Sequence, residues 1–205
     1  MTVRVPPGRA GRLWLRRRLA TAVRATTVLE RKLRTLRQEE HRLGRRARHT
    51  AERWREASAE ADLWLLRSAL AGGQRAVRLA TTGDLAEVTI TWADLLGVRC
   101  PAAGTVTPPH RPAGAAVAGG GALVRAELAC REALEAAVRH AVAAEALRLV
   151  RREVGTTRQR VRALDRHCIP ELRAAAARLE LALEEQERAE GLARGRARGG
   201  AGTSR

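Results

Sequence analysis

Stepping alternately by four and three residues from Leu15 lands on Leu19, Ala22, Thr26, Leu29, Leu33, Leu36, Glu40, Leu43, Ala47, Thr50, Trp54, Ala57, Ala61, Trp64 and Ser68. Only Thr26, Glu40, Thr50 and Ser68 among these positions are polar. A spacing of 3.5 residues held for about seven heptads describes the seam of a coiled coil, in which every knob returns to the same face. Arg and Glu dominate the positions between, as they do on a solvated face, and no Pro interrupts the stretch. A helix of a globular domain seldom keeps one apolar stripe for so long.

The pattern returns at the other end of the chain, from Leu147 through Val150, Val154, Thr157, Val161, Leu164 and Cys168, then Leu172, Ala176, Leu179, Leu183 and Gln186. Successive steps of four, Leu164 to Cys168 to Leu172 and on to Ala176, make a stutter, which unwinds a left-handed supercoil locally. Pro170 sits there and removes a helical hydrogen bond, so a bend is expected. Between the arms, residues 71–122 hold nine of the 18 Gly and four of the seven Pro. Such punctuation ends helices and lets the second arm return beside the first. Within it, Glu87–Trp92 alternates β-branched and other residues as a strand does, Val98–Pro101 supplies its partner, and Gly97 and the stretch from Thr107 to Pro112 are turn and loop chemistry.

The expected fold is therefore all-α, a long antiparallel two-helix coiled coil with a small irregular or β-hairpin insert. Its parts are an N-terminal helix over 1–70, the insert over 71–122 with a mobile Ala/Gly loop from Ala113 to Gly121, a C-terminal helix over 123–193, and a Gly-rich disordered tail over 194–205.

Charge and composition narrow the function. The chain has 39 Lys and Arg against 22 Asp and Glu, a net +17, and Lys32 is the one Lys. Absence of Asn, Phe and Tyr and the presence of only two Ile fit a GC-rich genome, which accounts for Arg in place of Lys but not for the net charge. That charge implies an anionic partner or neighbouring surface. Residues 9–70 carry 17 basic and 7 acidic side chains, against 16 and 12 over 123–198, so the first arm holds most of the excess.

Catalytic signatures are missing. A nucleotide-binding loop needs Gly-Lys-Ser/Thr, and Lys32 stands between Arg31 and Leu33 in a helix; GxSxG and HExxH do not occur either. Glu184, Glu185, Glu187 and Glu190 crowd one exposed helix end rather than a pocket. His167 and Cys168 are adjacent, so on a helix they diverge by about 100° and do not share a metal. Cys100, Cys130 and Cys168 form no CxxC, which points to neither a disulfide framework nor zinc. Trp54 and Trp64 fall on the seam and are read as packing residues; Trp14 lies off it, available to a partner. No apolar run reaches the roughly 18 residues of a membrane span, and no signal-peptide stretch opens the chain, so cytosolic residence is expected. No cofactor and no metal are expected.

Two segments allow comparison with a known family. TTRQRVRALDRHCIPEL followed by RLELALEEQERAE resembles the RRVNALE…IPxL…LxExERE signature of the D subunit of V-type and A-type (vacuolar and archaeal) rotary ATPases, here in a bacterial form, with Arg160, Val161, Ala163, Leu164, Ile169, Pro170, Leu172, Leu183, Glu185, Glu187 and Arg188 matching in order. The N-terminal LWLRRRLATAVRATTVLERKLRTL is similar to the family's PTRxxLLxLKxRLxxAxxGxxLLKxKRDxL, with Leu13, Leu15, Leu19, Ala22, Leu29, Lys32 and Leu36 in place. ADLLGVRCP looks like its xxxMGVxVP. Arg162, Asp165 and Ala25 depart from the family's Asn, Glu and Gly. The resemblance implies a non-catalytic central rotor stalk. Its partners would be the catalytic A and noncatalytic B subunits of the ATPase hexamer, the F subunit, and a C/d-type subunit coupling it to the membrane ring. It would carry torque between ATP synthesis or hydrolysis and transport of protons or sodium ions, in the cytoplasm at the inner face of the plasma membrane, without entering the bilayer or touching nucleic acid. Lys32, Arg160, Val161, Ala163, Leu164, Ile169, Pro170 and Leu172 would be its structural and interaction signature. The competing expectation is an Arg-rich coiled coil that binds nucleic acid or another polyanion.

Overall fold

The computed structural model describes residues 5–81, 84–109 and 120–200, with side chains to 194. Helix α1 spans Gly8–Ala80, strands β1 (Glu87–Leu95) and β2 (Val98–Thr107) form an antiparallel hairpin, and α2 (Gly120–Ala163) continues through a π-helical turn, Leu164–Cys168, into α3 (Ile169–Gly200). The expected helical hairpin with a small β insert is what the chain adopts.

The chain divides into two compact units. The first combines Met1–Leu33 with Thr156–Arg205. Leu15, Ala22, Ile169, Leu172 and Ala175 form its core, and Trp14, Leu19, Cys168 and Leu179 pack against them. Arg9 pairs with Glu187 and Arg16 with Glu180, so partner numbers fall as α1 advances and the helices are antiparallel. Both pairs are exposed and contribute little beyond orientation. Trp14, expected to be available to a partner, is instead half-buried on this core under the Arg18 guanidinium, 5.2 Å from its ring. Before α1 the chain doubles back over its first turn: Val5 packs on the core, and a Cβ at Gly11 would run into the Pro6 carbonyl oxygen, so this position excludes any larger residue.

The stutter resolves differently from a simple loosening of the supercoil. In a regular α-helix eight residues turn through about 800°, some 80° past two full turns, so Leu172 would leave the face held by Leu164. Instead the Ile169 N–H donates to the Leu164 carbonyl, five residues back. Such a turn takes in one residue more than an α turn, which restores the eight-residue step to roughly the rotation of a heptad. Leu164 and Cys168 accordingly stay half-buried and Leu172 is fully buried. Pro170 follows directly, where its missing N–H costs least because the hydrogen-bond ladder is already interrupted.

The second unit is Arg34–Gly155. Leu36, Leu43, Cys100, Ala146 and Val150 form its main core, with Leu95, Leu147, Leu149 and Val154 around them. The Arg151–Glu40 pair (3.2 Å) and the Thr50–His140 contact (3.4 Å) again set the helices antiparallel. On α2 the buried set continues upstream of Leu147 through Ala143, Ala136, Ala129 and Ala126, a seam built almost wholly of alanine. Trp54 does not bury in the seam as expected. It remains 41% exposed and stacks on His140, ring centroids 5.5 Å apart, because helices drawn together over alanine leave no depth for an indole. Trp64 is half-buried, held between the Arg67 and Arg125 guanidinium groups.

The hairpin turns at Leu96–Gly97, both with positive φ, and the Gly97 N–H donates to Asp94 Oδ1 at 2.8 Å. Positive φ at both central residues matches a two-residue turn to the strand twist. The register shifts between Thr91 and Trp92. On one side of the shift Cys100 enters the core; on the other, Gly104 lies so close to α2 that a Cβ would come within 2.6 Å of Val138 and 3.2 Å of Val142.

Four expected boundaries change, the first being that residues 5–7 precede α1 rather than belong to it. Residues 71–80 are helical rather than insert, with α1 broken only at Gly73 (φ 70°, ψ 165°), because Arg75–Ala80 has no other breaker and the following turn bonds back from the Thr81 N–H to Arg78. Residues 120–122 open α2. In the tail, residues 194–200 prolong α3 although disorder was expected, since Ala and Arg propagate a helix already nucleated at a cost of about 1 kcal/mol per Gly. Residues 113–119, expected to be mobile, and 201–205, expected to be disordered, lie outside the described residues.

Candidate interaction surfaces

The eight signature residues all belong to the first unit. Val161, Ile169 and Leu172 are buried and Leu164 and Lys32 half-buried, whereas Arg160, Ala163 and Pro170 face solvent. The helix thus divides the signature by function: one set packs the seam, the other is presented outward around the π turn. Ile169 and Leu172 meet in one core; Val161 is buried farther along the same seam.

The acidic run near the end of α3 is tied to arginines, with Glu184 to Arg188 at 3.7 Å, Glu187 to Arg9 at 3.5 Å and Glu190 to Arg194 at 3.5 Å, all exposed. His167 is exposed while Cys168 packs inward, so the two side chains diverge. Among the described residues no three His, Cys, Asp or Glu side chains gather as a metal site. Burial raises the Cys100 thiol above its ordinary pKa, reinforced by Asp94 and opposed by Arg42; burial and Asp62 raise that of Cys130. Both stay in the unreactive thiol form at neutral pH.

In the second unit α1 carries the densest positive surface. Arg42 pairs with Glu39 (2.6 Å) and Arg53 with Glu56 (3.2 Å), but Arg45, Arg46, Arg48 and Arg55 are exposed without an acidic partner among the described residues. A groove of about 580 Å³, lined by His49, Thr50, Arg53, Ala57, Glu132, Ala136 and Arg139, runs beside this band. Ala57 and Ala136 floor it, and Thr50 on its wall reaches His140 Nδ1 at 3.4 Å.

Apolar surface concentrates near the far end of the same unit. Leu63, Leu66 and Leu70 stand at i, i+3 and i+7 on the face of α1 turned away from its seam, exposed by 44, 58 and 79%. Val124 and Leu128 occupy the outward face of α2. Large apolar side chains exposed on both helices of the pair suit a protein partner. The heptad reading passed over these positions although their spacing was in the sequence: three leucines off the seam but in phase with one another.

None of the described helices is long and apolar enough to cross a membrane. The protein-family model for the D subunit of ATP synthase matches residues 13–196, both helical arms and the hairpin between them. Among curated proteins none matches the chain.

Proposed function

The chain belongs to the family of ATP synthase D subunits, and from that premise we propose that it is the central rotor stalk of a V/A-type rotary ATPase. In this reading it is a non-catalytic axle. It carries torque between the hexamer of catalytic A and noncatalytic B subunits and the transport of protons or sodium ions, with the F subunit at its side and a C/d-type subunit joining it to the membrane ring at the inner face of the plasma membrane.

One observation carries the reading beyond family membership: the double-sided leucine surface near the connector end of the second unit, Leu63, Leu66 and Leu70 on α1 with Val124 and Leu128 on α2. A shaft that turns a ring must be gripped from all sides at one end. Buried apolar contact supplies that grip at roughly 25 cal/mol per Å². The first unit, with bulky residues in its seam and charged pairs outside, is assigned to the hexamer.

The test uses the assembled complex. Replacing Leu66 and Leu70, both exposed, with Asp leaves the helix pair folded and is expected to abolish ATP-driven ion pumping while hexamer ATPase activity persists. Undiminished pumping by this variant contradicts the assignment. A second reading, binding of a polyanion, rests on Arg45, Arg46, Arg48 and Arg55. It requires retention on DNA that survives physiological salt and falls when these four are replaced by Gln; the rotor reading expects no such retention.

A further inference from the structure

We propose that the outer edge of β1, from Glu87 to Asp94, accepts an added strand from a partner protein, and that this strand places a basic residue opposite Glu87 and another opposite Asp94. The inference does not rest on the rotor reading. It begins from exposure: all eight residues of EVTITWAD are exposed, although the segment is a regular strand with β-branched side chains. Val88, Ile90 and Trp92 alternate along it, each more than two-fifths exposed.

Among the described residues the sheet has two strands, and one edge of β1 is unpaired. Outside helices and the ladder, the one backbone hydrogen bond among the described residues is that from Thr81 to Arg78, and none reaches this edge. A free edge is a template for another strand, and proteins usually blunt it with Lys, Pro or a bulge. β1 has neither Lys nor Pro, and the irregularity opposite Thr91 and Trp92 leaves the outer edge as a continuous nine-residue run. Main-chain bonds to such an edge provide affinity, and alternate side chains select the sequence.

Charge identifies the occupant. In a chain of net +17, β1 carries Glu87 and Asp94 and no cation of its own; Arg99 of β2 stands opposite Asp94 on the paired side, and the unpaired edge meets only the two acids of β1. Pairing of two β1 strands in full overlap sets Glu87 opposite Asp94 at both ends if antiparallel, and each acid opposite itself if parallel. Like charges placed directly opposite destabilise a strand pair, so a second copy of the chain is disfavoured. A strand with Lys or Arg at those two places converts both repulsions into attractions. Phosphate backbones are repelled by the same two acids.

The experiment uses the full chain and three synthetic octapeptides, Lys-Val-Thr-Val-Thr-Val-Thr-Lys, the same with Glu at both ends, and one with Lys first and Glu last. Amide hydrogen exchange is followed across Val88–Ala93, with β2 and overall helicity as folding controls. The Lys-ended peptide is expected to slow exchange at alternate β1 amides about tenfold, and the Glu-ended peptide to leave it unchanged. Glu87→Lys, at a position with no contact to lose, is expected to shift the preference to the mixed peptide, whose final Glu lies opposite residue 87 in an antiparallel pairing. Absence of protection by the Lys-ended peptide, or equal protection by all three, overturns the proposal. So does protection that appears without peptide and rises with protein concentration, which would make a second copy the occupant.

Discussion

The two helix pairs bury similar seams with different materials. In the first unit Leu15, Ile169 and Leu172 fill the core together with Ala22 and Ala175, around a helix with an extra residue in one turn. In the second, α2 offers Ala126, Ala129, Ala136 and Ala143 and stays regular; beside it Trp54 is displaced to the rim against His140, while Trp64 stays half-buried near Arg125. Bulky knobs give each position a large share of the stability and make helical phase critical. Alanine spreads a weaker interaction along the whole length, and specificity passes to polar contacts such as Thr50 with His140 and Arg151 with Glu40.

Substitutions break this contrast in order of size. Leu172→Asp places an unpaired charge in the first core and is expected to cost more than about 4 kcal/mol. Loss of cooperative thermal unfolding by circular dichroism is the readout, and retention of the wild-type Tm would refute the packing described. Leu172→Ala should cost about 2–5 kcal/mol from transfer and cavity terms. Ala143→Gly in the second unit should cost only about 1 kcal/mol, essentially its helix propensity. Comparable losses in urea melts would mean that the two seams do not differ. Gly104→Val sharpens the second half of the comparison, because its side chain must displace Val138 and Val142. A cost of about 1–3 kcal/mol is expected, together with faster amide exchange in β2 while α1 is unaffected.

The smallest effect concerns Glu145, whose carboxyl is held below its ordinary pKa by the hydrogen bond from Arg148. A lowered carboxyl pKa stabilises the fold above the ordinary carboxylate range, and the contribution is lost as pH falls through the lowered value. Because the pair is open to solvent, Glu145→Gln should change Tm at neutral pH barely measurably; a large drop would show that surface pairs matter more than the seam.

Legibility in the sequence followed chemical contrast. The α1 seam stood out because Leu and Trp recur among Arg and Glu, and of its sixteen positions only Trp54 is exposed. The stutter was visible as successive steps of four, and the hairpin as EVTITW with Gly97. The upstream part of the α2 seam was not, because Ala occupies exposed positions such as Ala141 as well as buried ones and carries no period. Gly11 could not be foreseen either, since its constraint comes from a carbonyl five residues earlier folding back. Among the candidate surfaces, the outward leucines were readable from spacing alone. The exposure of β1 was not, because a strand of that composition ordinarily lies half-buried.

The π turn at Leu164–Cys168 takes up one extra residue so that Leu164, Cys168 and Leu172 share a face. Single-residue deletion tests it most directly. Removing the exposed Asp165 should turn the eight-residue step into an ordinary heptad, leaving an α-helical, cooperatively unfolding protein within about 1 kcal/mol of the parent in urea melts. Removing Arg158, exposed in the regular helix, rotates everything beyond it by about 100° and should abolish the first unit's cooperative transition. If deletion of Asp165 proves as damaging as deletion of Arg158, the turn does not serve to keep the seam in phase.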